Sequence, residues 1–309
     1  MRLTRRRFVS TTATLTAGAA FPAAAQTPAL KFILVGDWGR GGHDEQRAVA
    51  VQMGKTAAEI DSPFIVSVGD NFYENGVSGV DDPQWQTSFE QIYTAESLQR
   101  PWKVILGNHD YRGNVQAQLD YSAHSKRWQL PARYYAVRET LPDGGTADFF
   151  YLDTSPFIKK YIGSKTDISG QDTDAQLAWL DKALGDSNAT WKIVIGHHPV
   201  YTALAAEAGY ESHDQPDLIA RLNPLLVKHE IPIYICGHDH CLQAVKMGGI
   251  TYVVTGAGSQ TYTPNPPIRG GFASGSHGFM TVQLDSAKLH YALIDMNGKT
   301  LYAETITRA

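Results

Sequence analysis

Phe32-Ile33-Leu34-Val35-Gly36-Asp37-Trp38-Gly39 is an apolar run that stops at a glycine and hands over to a carboxylate. The same punctuation recurs along the chain. Ile65–Val68 runs into Gly69-Asp70-Asn71-Phe72-Tyr73, and Val104–Leu106 into Gly107-Asn108-His109-Asp110. Ile193–Ile195 runs into Gly196-His197-His198-Pro199, and Ile231–Cys236 into Gly237-His238-Asp239-His240. Continuous apolar runs bounded by turn residues read as buried strands, and Gly lets the backbone bend sharply as it leaves the sheet. Five strand ends would then present Asp37, Asp70, Tyr73, Asn108, His197, His238 and His240 in one crevice, where open α/β sheets place their sites. Hard oxygen donors mixed with imidazole suit a two-metal hydrolytic centre.

Between these runs lie helical patterns. Glu45–Ile60 puts Val49, Met53 and Ile60 on one face, and Asp174–Leu184 aligns Leu177, Leu180 and Leu184 behind a cap at Asp172 or Thr173. Pro216–Lys228 is helical in pattern, with Pro224 kinking it or starting a second piece at Asn223. Alternating strand and helix patterns argue for α/β layering. The tail differs: Phe279–Leu284, Leu289–Asp295 and Leu301–Ile306, separated by Asp285-Ser286 and Asn297-Gly298, read as antiparallel strands. Leu141–Gly145 and Thr263–Gly271 read as surface loops, not linkers, so residues 26–309 form one domain.

The five motifs, in this order, resemble those of the metallophosphoesterases, and within them the purple acid phosphatases. Any one alone is weak, whereas five in order after strand-like runs are specific. Tyr73, three residues after Asp70, separates the purple acid phosphatase pattern from most others. The resemblance runs from about Leu30 to the C-terminus and is to the small, mammalian-type form. Phe149-Phe150-Tyr151-Leu152-Asp153-Thr154, Leu242-Gln243 and Gly275-Ser276-His277-Gly278-Phe279 agree with it. It implies a four-layer α/β/β/α sandwich with mixed sheets.

By the family pattern Asp37, Tyr73 and His240 bind one metal, Asn108, His197 and His238 bind a second, and Asp70 bridges both. A coordinated Tyr must ionise, which a hard trivalent cation favours. The resemblance therefore implies Fe(III) at the Tyr73 site beside a divalent Fe, Zn or Mn. By the resemblance His109, which follows a ligand, is expected at the phosphate, where an imidazole either protonates the leaving oxygen or stabilises the transition state. Asp110 either orients that ring or is a turn residue. The pattern breaks at one place. The family's second non-ligand His, nine residues after His197, falls here on Ala206, or within Ala206-Glu207-Ala208-Gly209 on Ala208. His198, His213 and His277 are the substitutes available on the substrate side. Trp38, Trp85 and Trp102 line the pocket or, more commonly for Trp, pack in the core.

The chain has 309 residues, 43% hydrophobic and 19% charged, enough for a substantial core. Residues 1–25 read as a twin-arginine signal peptide. Arg5-Arg6-Arg7-Phe8 precedes a weakly apolar Ala/Thr stretch and Ala23-Ala24-Ala25, with no acid before Asp37. The expected mature start is Gln26, the expected partner the Tat export machinery, and the expected location periplasmic or secreted. Without Arg2, Arg5, Arg6 and Arg7 the basic residues fall from 27 to 23 against 31 acidic ones, so net charge moves from −4 to −8. That acidic balance gives no support for nucleic-acid binding, and no apolar stretch is long enough for a membrane anchor. Cys236 and Cys241 flank the last motif, either as a disulfide or as buried thiols. The favoured activity is an acid phosphatase in which metal-bound hydroxide attacks a phosphomonoester. A phosphodiesterase or nucleotidase of the same superfamily is the alternative. A metal- or phosphate-binding protein without turnover is more remote, because every ligand position is filled.

Overall fold

The computed structural model describes residues 28–204, 213–264 and 269–308. The leader and the Ala206–Gly209 run lie outside the described residues, as does part of the Thr263–Gly271 loop. Two seven-stranded mixed sheets carry the fold. In the first, β1 (Leu30–Val35), β2 (Ile65–Ser67), β3 (Trp102–Val104) and the short β4 (Trp128–Gln129) run parallel. On the far side of β1 lie β12 (Gly278–Leu284), β13 (Lys288–Asp295) and β14 (Thr300–Thr307), all antiparallel. These are the tail strands expected from the turn signals.

In the second sheet β6 (Thr146–Tyr151), β7 (Trp191–Ile195), β8 (Ile233–Cys236) and β10 (Ile250–Thr255) run parallel. Antiparallel partners finish it: β5 (Tyr135–Thr140) beside β6, then β9 (Leu242–Met247) beside β10 and β11 (Phe272–Ser274) beside β9. Register decides where the site falls. Val35 pairs with Ser67 and Ser67 with Val104, while Tyr151 pairs with Ile195 and Ile195 with Ile235, so the motif strands of each sheet end level. The two crests are joined where the Gly36 amide donates to the Thr255 carbonyl at 2.9 Å and the Gly258 amide donates to the Gly36 carbonyl at 3.0 Å.

The sheets pack face to face through Phe32 of the first and Phe149, Ile193 and Ile233 of the second, all essentially inaccessible, with the Phe32 and Phe149 ring centroids 5.4 Å apart. Helix α1 (Gln46–Ile60) covers the first sheet with Val49, Met53 and Ala57. The short α2 (Val115–Asp120) follows the third motif. Helices α3 (Thr173–Asp186), α4 (Pro216–Arg221) and α5 (Asn223–Lys228) cover the second sheet with Leu180, Leu184, Leu218, Leu222 and Leu226. The Asp172 carboxylate caps α3 by accepting from the Ala175 amide at 2.9 Å, which satisfies one of the helix's orphan donors. Pro224 starts a separate helix, because a proline inside one continuous helix would clash with the preceding turn. The result is the four-layer α/β/β/α sandwich. Trp38, Trp85, Trp102 and Trp128 are all buried, and they pack edge-on with Phe72 and Phe89 beneath the first two motif loops. The tryptophans are core, not pocket lining.

Candidate metal centre

All seven expected ligand residues emerge from the joined crests, on the turns directly after β1, β2, β3, β7 and β8. The bends are tight. Asp37, Asp70 and His238 hold positive φ angles of 60°, 52° and 69°, a conformation non-glycine residues seldom adopt and one that clusters at functional sites. Two glycines leave space for the carboxylates. A Cβ at Gly107 would lie 2.2 Å from Asp70 Oδ1, and one at Gly237 would lie 2.4 Å from Asp37 Oδ2.

Three donor groups gather around the Tyr73 hydroxyl. It lies 3.0 Å from Asp37 Oδ1, 3.0 Å from Asp70 Oδ2 and 3.0 Å from His240 Nε2. Asp37 spends its other oxygen on the His238 amide, at 3.0 Å. Burial pushes the Tyr73 phenol well above its ordinary range, and the Asp37 and Asp70 carboxylates push it further, against the Arg40 guanidinium. Such a phenol ionises only if a cation shares the space, as a hard trivalent ion would.

The second group is marked by what its atoms lack. Asn108 Oδ1, His197 Nε2 and His238 Nδ1 are buried and have no hydrogen-bond partner. Leaving one such atom unpaired costs about 1–3 kcal/mol, so three in one crevice call for a ligand. His197 is pre-set for one: its Nδ1 lies 2.9 Å from the Val68 carbonyl, which fixes that nitrogen as the N–H and leaves Nε2 as the lone pair. Donor atoms of Asp37, Asp70 and His197 lie within 4.8 Å of one another. Asp70 faces both groups, with Oδ2 toward Tyr73 and Oδ1 3.4 Å from His197 Nε2. Burial opposes the Asp70 charge, but the imidazoles of His197, His109 and His238 hold the carboxyl well below its usual range. The donor set therefore fits two cations sharing one carboxylate.

His109 sits above this pair. Its Nε2 is 4.0 Å from Asp70 Oδ2, and its ring lies against that of Tyr73 at 4.2 Å between centroids. The ring is steered from the other side: Nδ1 is 2.7 Å from the Glu74 carbonyl and 2.8 Å from Nη1 of Arg112. Arg40 holds the Glu74 carboxylate at 2.6 Å and stacks over Tyr73, 3.8 Å from its centroid. Arg40, Glu74 and Arg112 went unread in the sequence. Arg40 and Arg112 had a signal, as cations one residue past the first motif and two past the third. Asp110 does not hold the ring. Its buried carboxylate accepts from the amides of Gly107 and Asn71 and from the side chains of Asn71 and Gln118, tying the second and third motif loops together.

The three substitute histidines separate. His198 is fully buried with both nitrogens occupied, Nδ1 3.0 Å from Thr154 Oγ1 and Nε2 3.0 Å from the Tyr161 hydroxyl. Its imidazole thus props the wall behind His238, with ring centroids 4.4 Å apart. His213 is part-exposed, with Nδ1 3.0 Å from Asp239 Oδ1 and 3.2 Å from the Tyr262 hydroxyl. Asp239 stands between His238 and His240, so His213 borders the site. His277 bonds Thr261 Oγ1 at 3.2 Å, next to Tyr262. Cys236 and Cys241 are free, buried thiols.

A double mixed sheet with such donors at its joined crests defines a binuclear metallophosphoesterase. The model of the calcineurin-like phosphoesterases matches residues 30–242. Purple acid phosphatase 7 of Arabidopsis thaliana is 37% identical, over 90% of this chain and 86% of that protein. Tartrate-resistant acid phosphatase type 5 of Oryctolagus cuniculus is 35% identical, over 89% and 90%. Among solved structures, the inner-membrane-complex anchor GAP50 of Plasmodium superposes with a TM-score of 0.78 at 24% identity, covering 92% of this chain and 90% of that one, which speaks to fold alone. The chain belongs to the calcineurin-like phosphoesterases and, within them, to the purple acid phosphatases. It is an acid phosphatase with a binuclear metal site.

Proposed function

We propose that the chain is an exported phosphomonoesterase with a ferric ion at Asp37, Tyr73 and His240, and a divalent Fe, Zn or Mn at Asn108, His197 and His238. Asp70 spans both. The observation that carries this reading is the set of three buried, unpartnered donor atoms beside the Tyr73 hydroxyl and the three groups around it. When bound, two cations polarise phosphoryl oxygens and lower the pKa of water from about 15.7 toward 7.

The chain's own residues supply the rest. Asp70 neutralises both sites with one carboxylate. The Glu74 carbonyl fixes the hydrogen of His109 on Nδ1, so in the imidazolium Nε2–H is the proton free to move. In hydrolysis a bond forms from water oxygen to phosphorus and the ester P–O bond breaks. Its electron pair stays on the alcohol oxygen, which takes the Nε2 proton of His109, and the proton that the attacking water loses passes to solvent, from which His109 is reprotonated. Burial, with Arg112 adding to it, holds the His109 pKa below its ordinary value. The protonated fraction therefore grows only as the medium turns acidic, in line with an acid optimum. The twin-arginine leader supports a periplasmic or secreted location, and no helix among the described residues is long and apolar enough to cross a membrane.

Metal analysis with a visible spectrum tests the reading, combined with hydrolysis of monoesters against diesters. Two metals, one of them iron, a phenolate band and monoester preference are expected. Diester preference would transfer the site to the phosphodiesterase alternative.

A further inference from the structure

Arg112 has no settled partner. Its Nη1 approaches His109 Nδ1 at 2.8 Å, but that nitrogen already faces the Glu74 carbonyl at 2.7 Å and must carry hydrogen to do so. A guanidinium is a donor only, so two N–H groups compete for one carbonyl, which Arg112 reaches at 3.3 Å. The remaining contact, Nε to Thr166 Oγ1, is 3.5 Å long, and Nη2 has no hydrogen-bond partner among the described residues. The nearby Glu74 carboxylate belongs to Arg40. No described carboxylate pairs with Arg112, unlike Arg127, Arg138 and Arg221, which each hold one.

A part-exposed guanidinium with no carboxylate partner among the described residues, beside the ring that serves the leaving oxygen, can receive an anion on the leaving group. Lys160 is a second exposed cation, its ammonium 5.4 Å from the Tyr161 ring centroid. Its neighbour Lys159 pairs with Asp217, whereas Lys160 pairs with no carboxylate among the described residues.

We propose that Arg112 is a specificity-determining residue. It selects phosphate esters whose leaving group carries a second anion, a carboxylate or phosphate, close to the scissile oxygen. This rests on the phosphomonoesterase reading and on the leaving-group side being that of His109. Guanidinium–carboxylate hydrogen bonds are charge-assisted and bidentate where geometry allows, which gives discrimination as well as affinity.

The test compares 3-carboxyphenyl phosphate with phenyl phosphate, leaving groups of similar basicity that differ by one carboxylate. In the two-metal enzyme Arg112→Gln should lower kcat/KM for the carboxylated ester by about tenfold, mostly through KM, as expected for a lost charge-assisted contact. Phenyl phosphate should fall by much less, and Arg112→Lys should keep part of the preference. Calorimetric binding of the matching pair, 3-carboxyphenylphosphonate and phenylphosphonate, should show the same selective loss without turnover. An equal loss on both esters and both phosphonates would overturn the proposal, because Arg112 would then act only through His109. If the two-metal wild type hydrolyses neither ester yet binds the phosphonates selectively, the phosphatase reading fails while the anion selectivity stands.

Discussion

The Tyr73 hydroxyl stands 3.0 Å from Oδ2 of Asp70, three residues earlier on the same turn. One tight loop thus brings a phenol that needs a cation against the carboxylate placed to bridge two of them. Tyr73→Phe deletes one oxygen and no packing atom of the ring. It should abolish the visible band of the iron-loaded protein and leave far-ultraviolet circular dichroism unchanged. A wild type that contains oxidised iron yet is colourless would remove Tyr73 from the ligand set.

Asp70 faces both donor groups, with Oδ2 toward the Tyr73 hydroxyl and Oδ1 toward His197 Nε2. Asp70→Ala should therefore lose both metals, as read by elemental analysis after gel filtration. His213→Ala, whose imidazole bonds Asp239 and Tyr262 and neither donor group, should keep them. Full metal content in Asp70→Ala would break the bridging assignment.

Burial raises the Asp153 pKa to about 7, even though the Tyr111 hydroxyl and the Arg133 charge pull the other way. Its unfolded value is about 3.9. A raised carboxyl binds its proton more tightly when folded, so its contribution to stability is full below the unfolded pKa and is lost as pH rises through about 7. Asp153→Asn cannot ionise. Between about pH 5 and 8 the variant should lose less melting temperature than the wild type, measured by calorimetry. Parallel curves would mean that Asp153 ionises freely in the folded protein.

The metal loops were legible because each joins two local signals, an apolar strand and a glycine before a donor. Asp37, Asp70, Tyr73, Asn108, His197, His238 and His240 converge because the strand register levels their ends, a consequence of the pattern itself. The turns Asp285-Ser286 and Asn297-Gly298 likewise announced β12 to β14. What escaped depends on contacts distant in sequence. His109 is steered by a carbonyl 35 residues away, and Asp110 ties Asn71 to Gln118 across 39 and 8 residues. Only the folded chain shows that His198 is walled in by Thr154 and Tyr161 while His213 borders the site. Trp38 sits inside a metal motif yet points into the core, where its indole N–H donates to Ser67 Oγ at 2.8 Å.

The leader can be tested without the folded domain. Replacing Arg5 and Arg6 by Lys keeps the charge and removes the guanidinium pair that a twin-arginine translocase reads. The variant should accumulate as uncleaved precursor in the cytoplasm, whereas the wild type should begin at Gln26. Normal export of the double variant would dismiss the twin-arginine route.

His109 separates binding from catalysis. Its ring touches Tyr73 and the Glu74 carbonyl, and its Nε2 stands 4.0 Å from Asp70 Oδ2, above the donor groups and not among them. His109→Ala should keep both metals and still bind inorganic phosphate, yet lose about 10²-fold or more in kcat, the range of general acid catalysis. The loss should shrink for a leaving group such as nitrophenolate, which departs with little protonation, and grow for an alkoxide. The sign of that trend identifies the acid role, since a residue that only stabilised phosphoryl oxygens would cost every substrate the same factor. Equal deficits for poor and good leaving groups would end the acid assignment, and loss of a metal would instead make His109 a ligand.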